Sequence, residues 1–272
     1  TMAATCVGVG SSVGVTGSGY YYGWAGMIIN FGNACMIWLF FAYISTRKHG
    51  FGTMSEEMQY FYGGNVNMRR LMAFICVFVE CLWLGSNING GAALIAYLTD
   101  FDPWICKVIL TLGLLAFSVI GGYMSVVWTD TIQMFIILFC FATVLIRVLI
   151  LVNGPEGIIE AYTAAGNTGA FSFLGWKSYG GKAVIAGLTA QAWAVFTMPA
   201  MHQRLYTAKS DSAARKGFAA SSIVSFGYSF MPAILGMGAF VLATRSGAVI
   251  EQSNDVFAYL AMEVLGPAMG LL

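Results

Sequence analysis

Residues 71–98 read LMAFICVFVECLWLGSNINGGAALIAYL, an apolar run interrupted by one charged residue, Glu80. Crossing ~30 Å of hydrocarbon takes about 20 apolar residues in a helix, and a spanning segment must satisfy its own backbone hydrogen bonds. This run therefore predicts a transmembrane helix. The same criterion applied outward gives seven spans, near 2–18, 21–45, 71–98, 104–121, 130–152, 183–201 and 218–244, with an eighth beginning near 256. The fold class is all-α, a polytopic membrane protein.

Composition agrees. The chain of 272 residues is 58% apolar and only 9% charged, against about 25% charged in soluble domains. A net charge of +1 without Lys/Arg runs excludes a nucleic-acid partner; the partner is the lipid bilayer. The six cysteines, Cys6, Cys35, Cys76, Cys81, Cys106 and Cys140, fall in or beside apolar runs without a CxxC pair, and read as small core residues. His49 and His202 fall in basic loops without a second ligand at metal spacing and read as surface residues. No catalytic triad, carboxylate pair or phosphate loop is present, so the chain is not expected to be an enzyme, and no cofactor is expected. The chain begins inside an apolar stretch and stops as another begins, which reads as a segment of a longer protein.

Lys and Arg set the orientation. Arg47, Lys48, Arg69 and Arg70 follow the second span, and Arg204, Lys209, Arg215 and Lys216 follow the sixth. Loops 45–70 and 202–217 are therefore cytoplasmic, in an integral protein of the plasma (inner) membrane. Thr53-Met54-Ser55-Glu56 has capping-box spacing and predicts a short interfacial helix over Met54–Tyr62. Tyr20, Tyr21, Tyr22 and Trp24 read as a headgroup-level anchor.

Several residues break the membrane pattern. Gly8, Gly10, Gly14, Gly17 and Gly19 sit in the first span, fitting either close helix packing or an unwound segment whose carbonyls bind a cation. Glu80 lies ten residues past Arg70, near mid-bilayer, where a charge costs at least ~2.5 kcal/mol, so it should face the bundle interior. Trp83 follows one turn on, and Ser86, Asn87 and Asn89 continue a polar line into Gly90-Gly91, which reads as a structural hydrogen-bond network or, alternatively, as part of a substrate or proton path. Asn30 and Asn33 place two amides one turn apart, as helix glue or as ligand contacts. Gln191 sits near the middle of the sixth span, and Pro199 and Pro232 should kink the sixth and seventh.

Gly121-Gly122-Tyr123-Met124-Ser125-Val126-Val127-Trp128-Thr129-Asp130-Thr131-Ile132-Gln133 resembles the sodium:solute symporter family, which includes sodium/glucose, proline and choline carriers. Gln203-Arg204-Leu205-Tyr206-Thr207-Ala208-Lys209-Ser210 with Ala213-Ala214-Arg215-Lys216-Gly217 is similar to that family's loop after its kinked helix, and Gly14-Val15-Thr16-Gly17-Ser18-Gly19-Tyr20 to the end of its first core helix. These blocks occur in family order and cover essentially the whole chain.

The resemblance implies an inverted-repeat, leucine-transporter-type fold of five plus five helices, here one partial transporter-core domain over 1–272. The first repeat would cover about 1–152 and part of the second about 183–272. It implies sodium-coupled symport of a small organic solute by alternating access. Sodium would be held by the carbonyls of Ala4 and Val7, with Asp130 on the inner sodium path; the alternative for Asp130 is a capping role alone. Substrate-facing positions would include Ser11, Asn30, Asn33 and Gln191. Gly10-Ser11 replaces the Glu-Gln pair of the sugar carriers, and the aromatic after the sixth-span amide is missing around Ala194-Val195. Glu80 and Trp83 would suit an organic cation through charge and cation–π attraction. The alternatives are a transporter-like sensor domain and a channel, the latter without a recognisable filter loop.

Overall fold

The computed structural model describes residues 2–8, 10–34 and 48–270. Every described regular element is helical. Helix α1 (Met2–Cys6) is followed by a break, a π-helical turn (Gly10–Gly14), α2 (Val15–Tyr22) and a 3-10 turn (Gly23–Met27). Helix α3 covers 28–34, and the rest of the expected second span, 35–45, lies outside the described residues. Next come α4 (Met54–Phe61), α5 (Val66–Thr99), α6 (Pro103–Leu151) and α7 (Gly154–Ala164). A linker of short turns leads to α8 (Gly181–Phe196), α9 (Pro199–Tyr206), α10 (Asp211–Ser246) and α11 (Asp255–Gly270).

Among the described residues, four helical segments are long and apolar enough to cross a bilayer: Val66–Thr99, Pro103–Gly122, Ser125–Leu151 and Asp211–Ser246. The bent pair ending in α8 and α9 makes a fifth. The first expected span does not form one long helix because it is broken. At 16 residues, α11 is shorter than a full span.

Each break has a local cause. Gly122, at φ 59° and ψ −172°, separates the two halves of α6, in a region that only glycine enters readily. Pro199 starts α9 after a bend of 42°, since its ring forbids the preceding helical turn. Pro232 differs from expectation: α10 runs through it as a single helix. It is buried there between Tyr228 and Leu235, with packing on every side to hold the helix together.

The centre of the bundle is α10. Its most apolar stretch is 61% buried against 0% for that of α5, so α10 is interior and α5 peripheral. Phe74, Val77 and Phe78 on α5, and Val119 and Ile120 on α6, form an exposed apolar belt of the kind lipid covers. Helices α2 and α10 cross at backbone distance. A Cβ on Gly19 would lie 2.5 Å from the Ala233 carbonyl oxygen, and one on Gly236 would lie 2.0 Å from that of Thr16. Small residues here allow contact between chains that have no hydrophobic drive to associate in lipid.

The tyrosine cluster is more than an anchor. Tyr21 donates to the Ile250 carbonyl at 2.8 Å, and the buried Tyr162 on α7 donates to the carbonyls of Gly19 and Tyr20 at 3.0 and 2.8 Å. Burial pushes the Tyr162 hydroxyl above the ordinary tyrosine range. At the other end, Thr53 caps α4 by accepting from Glu56 N at 3.3 Å, while Glu56 accepts from Gly52 N at 2.9 Å. The expected interfacial helix is present. It also meets α9, so the two basic loops share one end of the bundle.

Candidate functional site

The first span is unwound at Val7 and Gly8. Val7 N donates to the Ala4 carbonyl at 3.1 Å, closing α1 with a tight turn. Beyond it, the Ser11 hydroxyl accepts from Gly8 N–H at 2.7 Å and donates to the Gly8 carbonyl at 3.0 Å, which also accepts from Ser12 N–H at 3.1 Å. Asn30, buried on α3, donates from Nδ2 to the Ser11 carbonyl at 2.9 Å. Ser12 shares a hydrogen bond of 2.9 Å with the Tyr228 hydroxyl on α10. Three elements thus hold the break from separate sides.

The glycines of this span divide into two kinds. Gly17 and Gly19 are packed at distances no side chain tolerates, against Ser253 and Ala233, whereas Gly10 and Gly14 have nothing within 4 Å. Those two open onto a cavity of about 540 Å³, lined from α5 by Cys81, Leu82, Gly85, Ser86, Asn89 and Gly90 and from the loop before α11 by Asn254. The packing reading holds for Gly17 and Gly19; before them the chain is unwound at Val7 and Gly8, and Gly10 and Gly14, in a π-helical turn, line the cavity.

The expected site residues fall in different places. Ser11 and Asn30 meet at the break. Asn33 is buried on the same helix as Asn30, with no partner for its Oδ1 among the described residues. Gln191 on α8 lies with its Cβ against Gly32 of α3. Glu80 is partly buried and Trp83 half exposed; neither lines the cavity, although Asn87, which donates to the Trp83 carbonyl at 2.9 Å, lies against Gly8. Ser86 and Asn89 carried a signal in the polar line of α5. Asn254 sits in a short loop and carried none.

Asp130 lies in the second turn of Ser125–Leu151, past the capping positions. Its Oδ2 accepts from Arg204 Nη2 at 2.8 Å in a pair that is largely shielded. Cys81 also departs from expectation: it is exposed on the cavity instead of buried in the core, and Cys140 is exposed as well.

His202 is a correction. It is not a surface residue but 1% exposed, because the bend at Pro199 turns α9 back into the protein. Neighbouring Met201 and Leu205 pack with Phe218 in an apolar cluster, and the ring bonds to Glu57 on α4.

The whole of residues 1–272 matches the model of the sodium:solute symporter family. The chain belongs to that family. Among curated proteins it is 30% identical over 168 residues to rat "Solute carrier family 5 member 4", covering 60% of this chain and 24% of the rat protein. It is 29% identical over 141 residues to human "High affinity choline transporter 1", covering 50% of this chain and 24% of the human one. The matches thus span about a quarter of those relatives' length. The family is one of transporters and not of enzymes, and membership together with the apolar helices gives an integral membrane location.

Proposed function

We propose that this chain is the core of a sodium-coupled symporter for a small organic solute, working by alternating access in the plasma (inner) membrane with loops 45–70 and 202–217 cytoplasmic. The observation that carries the reading is the unwound Val7–Gly8 segment next to a cavity at the level of the polar line on α5. Irregular backbone at membrane depth is tolerated where it lines a cavity, and backbone carbonyls at a helix break suit a small cation; the Ala4 carbonyl, which accepts from Val7 N–H, has a second lone pair for it. Family membership supports the same conclusion.

In this mechanism sodium is a transported partner, held by the carbonyls of Ala4 and Val7 with the remaining ligands supplied from elsewhere in the protein. Ser11 and Asn30 fix the break, so sodium binding is coupled to the position of α3 and of the neighbouring Asn33 and Gln191. Solute binds between these polar groups and α5. Glu80 and Trp83 favour an organic cation, as the choline transporter's name would suit, once the bundle closes on them. Asp130 lies on the inner sodium route and must leave Arg204 to take part. Coupling is reciprocal: sodium tightens solute by the factor that solute tightens sodium.

The test is uptake into proteoliposomes of the full-length protein under an inward sodium gradient, with sugars, amino acids, carboxylates and quaternary amines as radiolabelled candidates. Accumulation driven by sodium and abolished by potassium replacement is expected for one class. Equal uptake with either cation would overturn the reading, and competition by only anionic or neutral compounds would remove Glu80 and Trp83 from the site.

A further inference from the structure

Three polar side chains line the cavity beside the broken span, Ser86 and Asn89 from α5 and Asn254 from the loop before α11. Helix hydroxyls elsewhere in the chain turn back on their own backbone: Thr99 donates to the Ile95 carbonyl and Thr111 to that of Lys107, both at 2.7 Å. Ser86 does not. Among the described residues, the side chains of Ser86, Asn89 and Asn254 have no hydrogen-bond partner, and all three are exposed. Their donors and acceptors are free to meet a guest in the cavity.

Asn254 belongs to a loop that is fixed in place. Helix α10 ends at Gly247, whose φ of 72° turns the chain back. The Ile250 carbonyl then accepts from Tyr21 at 2.8 Å, and Ser253 lies so close to α2 that a Cβ on Gly17 would fall 2.3 Å from its carbonyl oxygen. Asp255 N–H closes on the Gln252 carbonyl at 3.1 Å as α11 begins. The loop is therefore anchored on α2 next to Asn254, at the end of α10 opposite loop 202–217.

The chemistry of the lining selects a class of guest. Among the described residues it holds no charged side chain, so an ionic group would enter without a counter-charge, which is costly away from water. A carboxamide offers two donors and an acceptor, and a serine hydroxyl one donor and two lone pairs. A hydroxyl group is the neutral partner that can use both kinds at once. We propose that Asn254, with Ser86 and Asn89, is a specificity residue that recognises a hydroxyl on the uncharged part of the solute. The inference rests on the transporter reading, and a cationic part of the solute lies outside this frame, towards Glu80 and Trp83.

The test is thermal unfolding of the purified full-length protein, titrated with four pairs of probes that differ within each pair by one hydroxyl. They are D-galactose and D-fucose, serine and alanine, lactate and propionate, and hydroxyethyltrimethylammonium and propyltrimethylammonium. The rise in Tm with concentration gives an apparent Kd for each probe. In at least one pair the hydroxylated member should bind about threefold to tenfold tighter, as one hydrogen bond allows, and Asn254→Ala should bring that ratio close to one. A side chain that only shaped the loop would weaken both members alike and leave the ratio unchanged. No preference in any pair, or an unchanged ratio in Asn254→Ala, overturns the proposal. Should that variant fail to fold, Asn89→Ala reads the same ratio from the facing wall, with the same outcomes. Repeating the titrations in potassium separates the two readings: a hydroxyl preference that is equal in sodium and potassium keeps the frame and contradicts sodium coupling.

Discussion

Gly236→Ala and Gly14→Ala should separate the glycines that hold the bundle together from those that make the site. A Cβ on Gly236 would lie 2.0 Å from the Thr16 oxygen and 2.7 Å from Tyr20 N. Both are backbone atoms that cannot rotate away, so α2 and α10 must part by more than an ångström to reach ordinary contact. Overpacking of this kind costs about 1–3 kcal/mol, and the upper end applies where backbone meets backbone. The gain in helix propensity from glycine to alanine returns about 1 kcal/mol. The net loss of about 1–2 kcal/mol corresponds to a fall in Tm of several degrees at roughly 2–4 °C per kcal/mol.

Gly14 has open space and ordinary helical angles, φ −64° and ψ −37°. Its alanine variant should raise the ligand-free Tm by about 2–4 °C through helix propensity, while its methyl takes up room in the cavity. Thermal unfolding of the full-length protein, first without sodium or solute and then with each, reads both effects. Gly14→Ala falling as far as Gly236→Ala without ligand, or Gly236→Ala showing no fall, would refute the division.

Asp130→Ala leaves Arg204 without its carboxylate, and sodium activation of uptake should weaken more than apparent solute affinity at saturating sodium; unchanged sodium activation would remove Asp130 from the ion's route. Asn30→Ala deletes the buried bond to the Ser11 carbonyl and should cost about 1–3 kcal/mol, with a larger loss of sodium-induced stabilisation than a distant variant of equal Tm. Tyr162→Phe loses two carbonyl bonds and should lower Tm by several degrees. Because burial raises the Tyr162 value in the folded state, the unfolded chain releases this proton first above about pH 10 and stability falls as pH rises. Wild type should therefore lose more stability than Tyr162→Phe between pH 9 and 11, and parallel losses would contradict that assignment.

The spans that are straight and lipid-facing were legible in the sequence, because a long apolar run has one structural outcome in a bilayer. Residues 71–98 appear within Val66–Thr99 and 104–121 within Pro103–Gly122. The sequence could not say which glycines of the first span pack and which line space, since that depends on α10 and α5 approaching from far along the chain. His202 was misread for a similar reason: its neighbours are basic, and only the bend at Pro199 carries it inward to Glu57. Of the expected site residues, Ser11 and Asn30 meet because the turn at Gly23–Met27 lays α3 beside the broken span. Glu80 and Trp83 share α5 with the cavity lining but occupy other positions around the helix, a distinction residue type alone does not make.

The central claim is that the unwound Val7–Gly8 segment binds sodium. It is tested most directly by the thermal stability of the purified full-length protein in sodium chloride against potassium chloride at equal ionic strength. A ligand that binds only the native state adds about 2.7 kcal/mol at a hundredfold excess over its Kd, so Tm should rise with sodium concentration, and the rise should shrink in Asn30→Ala. Identical unfolding in sodium and potassium across the whole concentration range would contradict the account.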